Sequence, residues 1–253
     1  MNLFRNKTTR ALILIMCALV ALGIVIAKSY YKNLNESIDP RIVDARLLYK
    51  QYDKYALNNE IDSVFILLDS IEAIYATIPH YHKSFELGVL NNNRAAAYLT
   101  LAMHSPVYSI DSVAQDSIIQ LASQYSKVSI DIYNTWLAAY ETLTETEIRE
   151  KIKPDFVIGF EQIDAKKHNR ILERRIKEII DAQVETKRRL SVSYTNLGII
   201  YRHNEEYEKA ADSYETALEL WDENLTAENN LNVLLGLPLK KRTLIQKLFP
   251  PEK

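Results

Sequence analysis

The most constraining feature of this sequence is a long stretch near its C-terminal end in which nothing interrupts a helix. From Ile163 to Arg202 the chain has no proline, and its only glycine is Gly198. The pattern predicts either one very long helix or two helices with a small break near Val184. Apolar or neutral residues advance along the stretch mostly by three or four positions, as one helix face requires: Leu172, Ile176, Ile179, Gln183, Leu190, Tyr194, Leu197 and Tyr201.

The composition of the whole chain also favours helices. Its 253 residues include only 5 glycines and 7 prolines, too few turn residues for a fold built from many strands. Hydrophobic residues make up 47% of the chain, which is enough to bury a core. The 16 tyrosines against 6 phenylalanines suit thin helical layers, because tyrosine packs in a helix seam while its hydroxyl stays near water. We therefore predict an all-α fold.

A first helical hairpin is predicted in the front half of the body. The Asp39-Pro40 pair is a helix start, since aspartate caps a helix and proline suits its first turn. Apolar residues then recur with helical spacing over residues 41–57, and the Asn58-Asn59 pair ends that run. A second helix starts near Ile61 and stops before Pro79. Two helices joined by a short polar turn form an antiparallel hairpin.

A second hairpin follows in the sequence. Its first helix is predicted from Phe85 to Met103, and its second helix lies within the periodic stretch from Val113 to Leu143. The link between them contains Pro106. Because proline disfavours a helix interior, Pro154 is predicted to break the chain between the front and back halves of the body.

The window from Ser191 to Asn224 combines small and aromatic residues at fixed spacing. Gly198 and Ala210 are small, so two helices of a hairpin can approach closely there, and Ala217 lets a following helix approach. The positions that carry the pattern are Tyr194, Asn196, Leu197, Gly198, Tyr201, Tyr207, Ala210, Tyr214, Ala217, Leu218, Glu219 and Leu220. A generic amphipathic helix does not produce this spacing.

This window resembles a tetratricopeptide repeat (TPR). It departs from the family pattern in two places: Glu205 stands where the turn usually has glycine, and Asp222 where a proline commonly closes the repeat. The stretch from Leu225 to Leu235 resembles the half-repeat that caps a solenoid. One repeat cannot stand alone, so the resemblance implies an α-solenoid in which the front hairpins are divergent TPR-like units.

The resemblance also implies where a ligand would bind. In TPR proteins the inner helices of the concave face commonly hold an extended or helical peptide. Carried over to this window, the exposed positions of the first helix are Thr195, Asn196, Ile199, Arg202 and His203. Asn196 has two interpretations, a hydrogen bond to ligand backbone or a structural amide that ties the hairpin together.

The N-terminal leader predicts a membrane anchor. The run from Ala11 to Ala27 carries no charge, and as a helix it rises about 25 Å, the short end of a membrane span. The cations Arg5, Lys7 and Arg10 precede it, which predicts a cytoplasmic N-terminus and an extracytoplasmic body at the inner membrane, on the periplasmic side. The alternative is a cleaved signal peptide, with Val25 and Ala27 at the cleavage site.

These patterns divide the chain into segments. Residues 1–10 are a cytoplasmic basic region, 11–28 the transmembrane signal-anchor and 29–39 a juxtamembrane linker. Residues 40–153 hold the divergent TPR-like hairpins, and 154–190 a long basic helical segment. Residues 191–236 hold the TPR motif with its capping helix, and 237–253 a basic tail.

Two basic regions are open to two interpretations each. Between Lys166 and Arg189 cations outnumber acids, so this helix is either a solvated face with pairs such as Glu173–Lys177 or a docking face for an acidic partner or a membrane surface. The C-terminal tail mixes basic and apolar residues: Leu239, Lys240, Lys241, Arg242, Leu244, Ile245, Lys247, Leu248 and Phe249. It either packs on a partner or on lipid, or packs back on the repeat.

The sequence contains no pattern of a catalytic, metal or cofactor site. It lacks a glycine-rich phosphate loop, a nucleophile elbow and a histidine–glutamate pair at metal-ligand spacing. His80 and His82 flank a turn near Pro79 and are expected to be exposed loop residues. The formal net charge of −2 gives no reason to expect nucleic acid as a partner.

The sequence therefore predicts a membrane-anchored extracytoplasmic TPR scaffold that binds another protein and is not an enzyme. The expected partner is a peptide or helix in the concave face, together with the membrane around the N-terminal helix. The alternative is a self-assembling structural subunit of an envelope complex, which would be a homo-oligomer.

Overall fold

The computed structural model describes residues 7–104 and 112–242 of the chain. All regular structure in these ranges is helical, so the predicted all-α fold is confirmed. The helices are α1 (Lys7–Glu36), α2 (Val43–Leu57), α3 (Ile61–Ala76), α4 (Phe85–His104), α5 (Ser112–Tyr140), α6 (Glu145–Phe156), α7 (Ala165–His203), α8 (Tyr207–Leu220) and α9 (Leu225–Leu234), with a 3-10 turn at Pro40–Ile42 before α2. Arg5, the link around Pro106 and residues 243–253 of the tail lie outside the described residues.

Helix α1 is long and apolar enough to cross a membrane. Its apolar part, Ala11–Tyr31, has 21 residues, which rise about 31 Å and match the hydrocarbon core of a bilayer. The helix continues without a break to Glu36, so most of the predicted juxtamembrane linker is helical instead. Beyond the apolar part, Glu36 pairs with Arg170 of α7 at 2.7 Å, and Arg174 of α7 donates a hydrogen bond to Ser37 Oγ at 3.2 Å.

The body is a stack of helical hairpins, as predicted for a solenoid. Helices α2 and α3 form the first pair, α4 and α5 the second, and α7 and α8 the third, with α9 packed on α8 and α7 as a cap. Helix α4 contacts α3 on one side and α7 on the other, and α6 lies against α7. The chain thus repeats a hairpin unit and places α2, α4 and α7 along one side of the stack.

Pro154 does not divide the body into two halves, so the predicted break is wrong. Helix α6 starts with a capping box between Thr144 and Glu147 and runs through Pro154 to Phe156. The proline falls in the last turn, where it removes only one backbone donor from a helix that is about to end. One hydrophobic core extends from Ile42 in front of α2 to Leu197 in α7, so both halves share it.

The long stretch near the C-terminal end is a single helix. Helix α7 has 39 residues and is about 58 Å long. It passes Val184 without a break, which decides between the two predicted forms. Its first half packs on the front hairpins and α6, and its second half belongs to the TPR motif. A smaller core cluster joins α7 to the outer ends of α4 and α5: Leu99, Ala102, Ile119, Ala122 and Ile200.

Candidate functional site

The α7–α8 hairpin has the close contact that its sequence predicts. A Cβ added at Gly198 would lie 2.5 Å from Cε1 of Tyr214, so only glycine fits against this buried ring. Ala210 and Ala217 are fully buried in the same seam. In the turn, Glu205 has φ +61°, the conformation for which the family uses glycine.

The α4–α5 hairpin contains the same contact, which the sequence reasoning missed. A Cβ added at Gly88 would lie 2.6 Å from Cδ1 of Tyr133. Ser129, one helical turn before Tyr133, donates to the carbonyl of Gly88 at 2.8 Å and lies 3.0 Å from Ser193 Oγ on α7. The second hairpin therefore has the central packing of a TPR unit, with longer helices around it.

The α2–α3 hairpin shares a different part of the repeat, its turn. Asn59 has φ +57°, close to the value of +61° at Glu205 in the α7–α8 turn. In both turns the next residue donates its backbone N–H to a carbonyl of the preceding helix, Glu60 to Tyr55 at 3.0 Å and Glu206 to Tyr201 at 2.8 Å. Each front hairpin thus resembles the TPR motif in one feature, the first in its turn and the second in its seam.

The inner helices α2, α4, α7 and α9 line a groove, which we call the concave groove. It consists of three adjoining cavities of about 290, 700 and 280 Å³, and Arg189 of α7 lines all three. The first cavity includes Arg46 and Asp181, the middle one Tyr49, Tyr52, Asn92, Asn93 and Val192, and the last one Asn196, Trp221, Leu225 and Arg242. The groove runs along the stack and is large enough for a peptide.

Fixed amides form the polar wall of the middle cavity. Asn92 Oδ1 accepts hydrogen bonds from Ser193 Oγ and Asn196 Nδ2, both at 3.0 Å. Asn93 Nδ2 donates to the hydroxyl of Tyr49 at 2.7 Å, which leaves the tyrosine O–H free to donate. Burial raises the pKa of Tyr49, so this hydroxyl stays neutral. These contacts hold donors and acceptors in fixed directions at the groove wall.

Arg189 supplies a positive charge at the centre of the groove. Its guanidinium lies 5.5 Å from the ring centroid of Phe85, and within the described ranges no carboxylate pairs with it. The neighbouring Arg188, by contrast, is paired with Glu185 at 2.8 Å. A half-buried cation without an acidic partner is suited to a carboxylate or to backbone carbonyls of a ligand.

The sequence reasoning missed Arg189, Asn92 and Asn93. A signal for the two asparagines was present, since residues 91–93 are three consecutive asparagines in a helix that otherwise has an alanine-rich seam. Asparagine is a poor helix former, so such a run favours a side-chain role. Arg189 carried no signal of its own, because it is one of many cations on α7.

Two of the site residues expected to be exposed are buried. Thr195 is 3% exposed, donates to the carbonyl of Ser191 at 2.9 Å and accepts from Asn224 Nδ2 at 2.9 Å. Asn196 is 9% exposed, because α4 packs across it and its amide donates to Asn92. Thr195 therefore ties α7 to the start of α9. Asn196 ties α7 to α4 instead of tying its own hairpin together, and it also lines the last cavity, so a hydrogen bond to ligand backbone stays a prediction.

The other three predicted site residues lie towards the end of α7, outside the three cavities. Ile199 packs on the smaller core cluster. Arg202 donates to Asn230 Oδ1 of α9 at 3.0 Å. His203 is exposed. The three cavities thus lie around Arg189, away from the end of α7, and a ligand contact for these five predicted residues stays a prediction.

His80 is not the exposed loop residue that was expected. It is 8% exposed and accepts a hydrogen bond at Nε2 from Nε of the buried Arg175 at 2.8 Å. Burial and the neighbouring Arg175 charge lower the pKa of His80 to about 2. Arg175 also contacts Glu86 and Glu178, at 3.2 Å and 3.4 Å. His82 is exposed as expected, and no group of three metal-ligating side chains exists in the described ranges.

Three cations of α7, Arg170, Arg175 and Lys187, pair with acids outside this helix, and two of its acids pair with cations of other helices. Glu173, expected to pair with Lys177, accepts from Arg149 of α6 at 2.6 Å. The other pairs are Arg170–Glu36 at 2.7 Å, Lys187–Glu141 at 2.5 Å and Arg46–Glu178 at 2.6 Å. These pairs hold α7 to its neighbours, and a docking role for the remaining cations of its basic face stays a prediction.

One family model matches a part of this chain. Residues 191–224 match the model of the tetratricopeptide repeat family. The chain thus contains a TPR unit in this window together with an apolar N-terminal helix, and TPR units are typically protein-interaction modules. No curated protein and no solved structure gives a significant match to the chain.

Proposed function

We propose that this protein is a membrane-anchored scaffold that binds an extended or helical peptide of another protein in the concave groove. The observation that carries the proposal is Arg189, a half-buried cation without an acidic partner in the described ranges, at the junction of three cavities. A half-buried guanidinium without an acidic partner has N–H donors that a ligand can satisfy with a carboxylate or with backbone carbonyls.

The groove suits a peptide that contributes a carboxylate and apolar side chains. Arg189 pairs with the carboxylate, and the hydroxyl of Tyr49 donates to a backbone carbonyl. Val192 and Trp221 offer apolar surface on either side of Arg189. The proposal assigns no catalytic residue and no cofactor.

We place the body outside the cytoplasm, on the periplasmic side of the inner membrane, with α1 as an uncleaved anchor. The cations before the span favour a cytoplasmic N-terminus. The length of the apolar run favours an uncleaved anchor, since Ala11–Tyr31 has 21 residues, more than the apolar region of a usual signal peptide. Radiolabelled or mass-spectrometric sizing of the mature protein tests this: loss of residues 1–27 contradicts the anchor.

The test of the scaffold function is a crosslinked pull-down of the full-length tagged protein from membranes, read by mass spectrometry. One envelope protein should be enriched. Its capture should fall about thirtyfold or more with Arg189→Gln, because loss of one member of a buried charge pair costs about 2 kcal/mol or more. Lys187→Gln is the control, since Lys187 pairs with Glu141 and lines none of the three cavities. Equal capture by both variants contradicts the assignment of the groove.

Self-assembly is the second candidate function, favoured by an apolar end of the solenoid. In the last turn of α9 and directly after it, four large side chains are more than half exposed: Val233, Leu235, Leu237 and Leu239. A capping helix ordinarily has a polar outer face, so this end is suited to a second copy. Light scattering of the protein in detergent distinguishes the candidates, because a monomer at micromolar concentration contradicts self-assembly.

A further inference from the structure

We propose that residues 243–249 of this chain bind in the last cavity of its own concave groove and compete there with the partner protein. The inference rests on the proposed function, since it adds regulation to the same groove. The segment proposed to fill this cavity, residues 243–249, follows directly after Arg242, the last described residue.

The path of the chain after α9 leads into the groove. Helix α9 ends at Leu234, and the chain reverses at Gly236. The φ of this residue is +68°, a left-handed value that glycine adopts without strain. The backbone N–H of Leu237 donates to the carbonyl of Asn232 at 2.8 Å, and Asn232 Nδ2 donates to the carbonyl of Pro238 at 3.3 Å. The chain therefore returns along α9 instead of leaving the solenoid.

Two hydrogen bonds between Asn229 of α9 and the backbone of Lys240 hold the returning chain against α9. The amide of Asn229 accepts from the backbone N–H of Lys240 at 2.7 Å and donates to the carbonyl of Lys240 at 3.1 Å. The Lys240 ammonium pairs with Glu228. This arrangement delivers Arg242 to the wall of the last cavity, opposite Trp221 and Asn196.

The segment that follows matches the cavity in chemistry and length. Leu244, Ile245, Leu248 and Phe249 are apolar with helical spacing, and Lys247 lies among them. The cavity offers Trp221, Leu225 and Val192 as apolar contacts, and Glu223 lies at its wall as an acid for the lysine, beside Arg188 and its partner Glu185. Seven residues reach about 10 Å as a helix or about 23 Å when extended, enough to cross the last cavity and reach Arg189.

A cysteine pair tests the docking directly in the full-length protein in detergent, with Cys17 replaced by serine. Val192→Cys with Leu248→Cys should form a disulfide within one chain, as shown by mass spectrometry. Val184→Cys with Leu248→Cys is the control, because Val184 is exposed on α7 outside the three cavities. Equal crosslinking of both pairs overturns the proposal. A disulfide formed only between chains also overturns it and favours a second copy as the occupant.

A synthetic peptide of residues 243–253 provides the second readout by fluorescence anisotropy. It should bind the chain truncated after Arg242 and bind the full chain at least about tenfold more weakly, because a tethered segment has an effective concentration in the millimolar range. Equal binding to both chains overturns the proposal. If the 192–248 disulfide forms but no envelope protein depends on Arg189, the proposed scaffold function fails and the docking stands. If capture depends on Arg189 but no disulfide forms, only the docking fails.

Discussion

The two halves of α7 pack by different means. The first half is held by buried charge: Arg175 is 2% exposed and lies among His80, Glu86 and Glu178. The second half is held by small residues and amides, with Gly198 against Tyr214 and with Asn224 Nδ2 hydrogen-bonded to Ser191 at 2.8 Å and to Thr195 at 2.9 Å. The same helix thus joins two seams: a charged seam around Arg175, and a seam of small and aromatic residues around Gly198 and Tyr214.

This difference explains why only one half resembles a known repeat. A seam of small and aromatic residues depends on local spacing, so the same pattern works in many chains. A buried charge cluster depends on partners from distant parts of one chain, here the connection between α3 and α4, helix α4 and helix α7. Only the second half, where small residues pack against a tyrosine ring, matches the TPR family.

The largest expected effect comes from the charged half. Arg175→Met should lower the free energy of unfolding by about 3–5 kcal/mol, because it leaves Glu86 and Glu178 without their buried cation. Arg188→Met, at a half-exposed pair on the same helix, should cost about 1 kcal/mol or less. Urea unfolding followed by circular dichroism measures both. A similar small loss in each would contradict the charged seam.

The next effect tests whether α4–α5 and α7–α8 share one packing. Gly198→Ala and Gly88→Ala should each lower the free energy of unfolding by about 1–3 kcal/mol, as measured by urea unfolding. The added methyl has no room against a buried tyrosine ring. The gain of about 1 kcal/mol in helix propensity offsets this only in part. Gly23→Ala is the control, because its Cβ would meet nothing within 4 Å. If Gly88→Ala is neutral and Gly198→Ala is not, the likeness of the hairpins is wrong.

The pH dependence of stability should also separate the two seams. His80 has a folded pKa of about 2, below the ordinary value of 6.5, so the unfolded chain binds more protons between these values. The contribution of neutral, buried His80 to stability is therefore complete above about pH 6.5. Below about pH 6 the free energy of unfolding falls by about 1.4 kcal/mol for each pH unit. Urea unfolding at pH 7 and pH 5 should show a smaller loss for His80→Gln than for the natural chain. Equal losses would place His80 outside the buried cluster.

The smallest effect concerns the two matching turns. Glu205→Gly should stabilise the protein by about 0.5–1 kcal/mol, because glutamate pays for a positive φ that glycine adopts freely. Asn59→Gly should gain less, since asparagine tolerates this region better. Melting temperatures measure both changes. A loss of stability with Glu205→Gly would mean that the glutamate side chain has a role in the turn.

Local periodicity allowed much of the fold to be predicted. The hairpins α2–α3 and α4–α5 and the long α7 follow from apolar residues spaced by three or four, and residues 191–224 carry the repeat within one window. Helix α6 was missed because Pro154 was interpreted as a break, although a proline in the last turn is compatible with a helix.

The site was less predictable because it depends on contacts between distant segments. Whether Thr195 is exposed depends on Asn224 at the start of α9, and whether Asn196 is exposed depends on Asn92 in α4. The burial of His80 requires Arg175, far along the chain. The likeness of Gly88–Tyr133 to Gly198–Tyr214 was also hidden, since longer helices separate the first pair in sequence.

The continuous α7 has a mechanical consequence. Arg170 at one end is bound to Glu36 at the base of α1, and Arg189 further along faces the groove. A pull on α7 therefore passes along its axis to the apolar helix α1, and the load is shared by every helix packed on α7. In a chain of short repeats that touch only their neighbours, the same pull would open one interface after another. Because α7 contacts all three hairpins, extending this body requires several interfaces to open together.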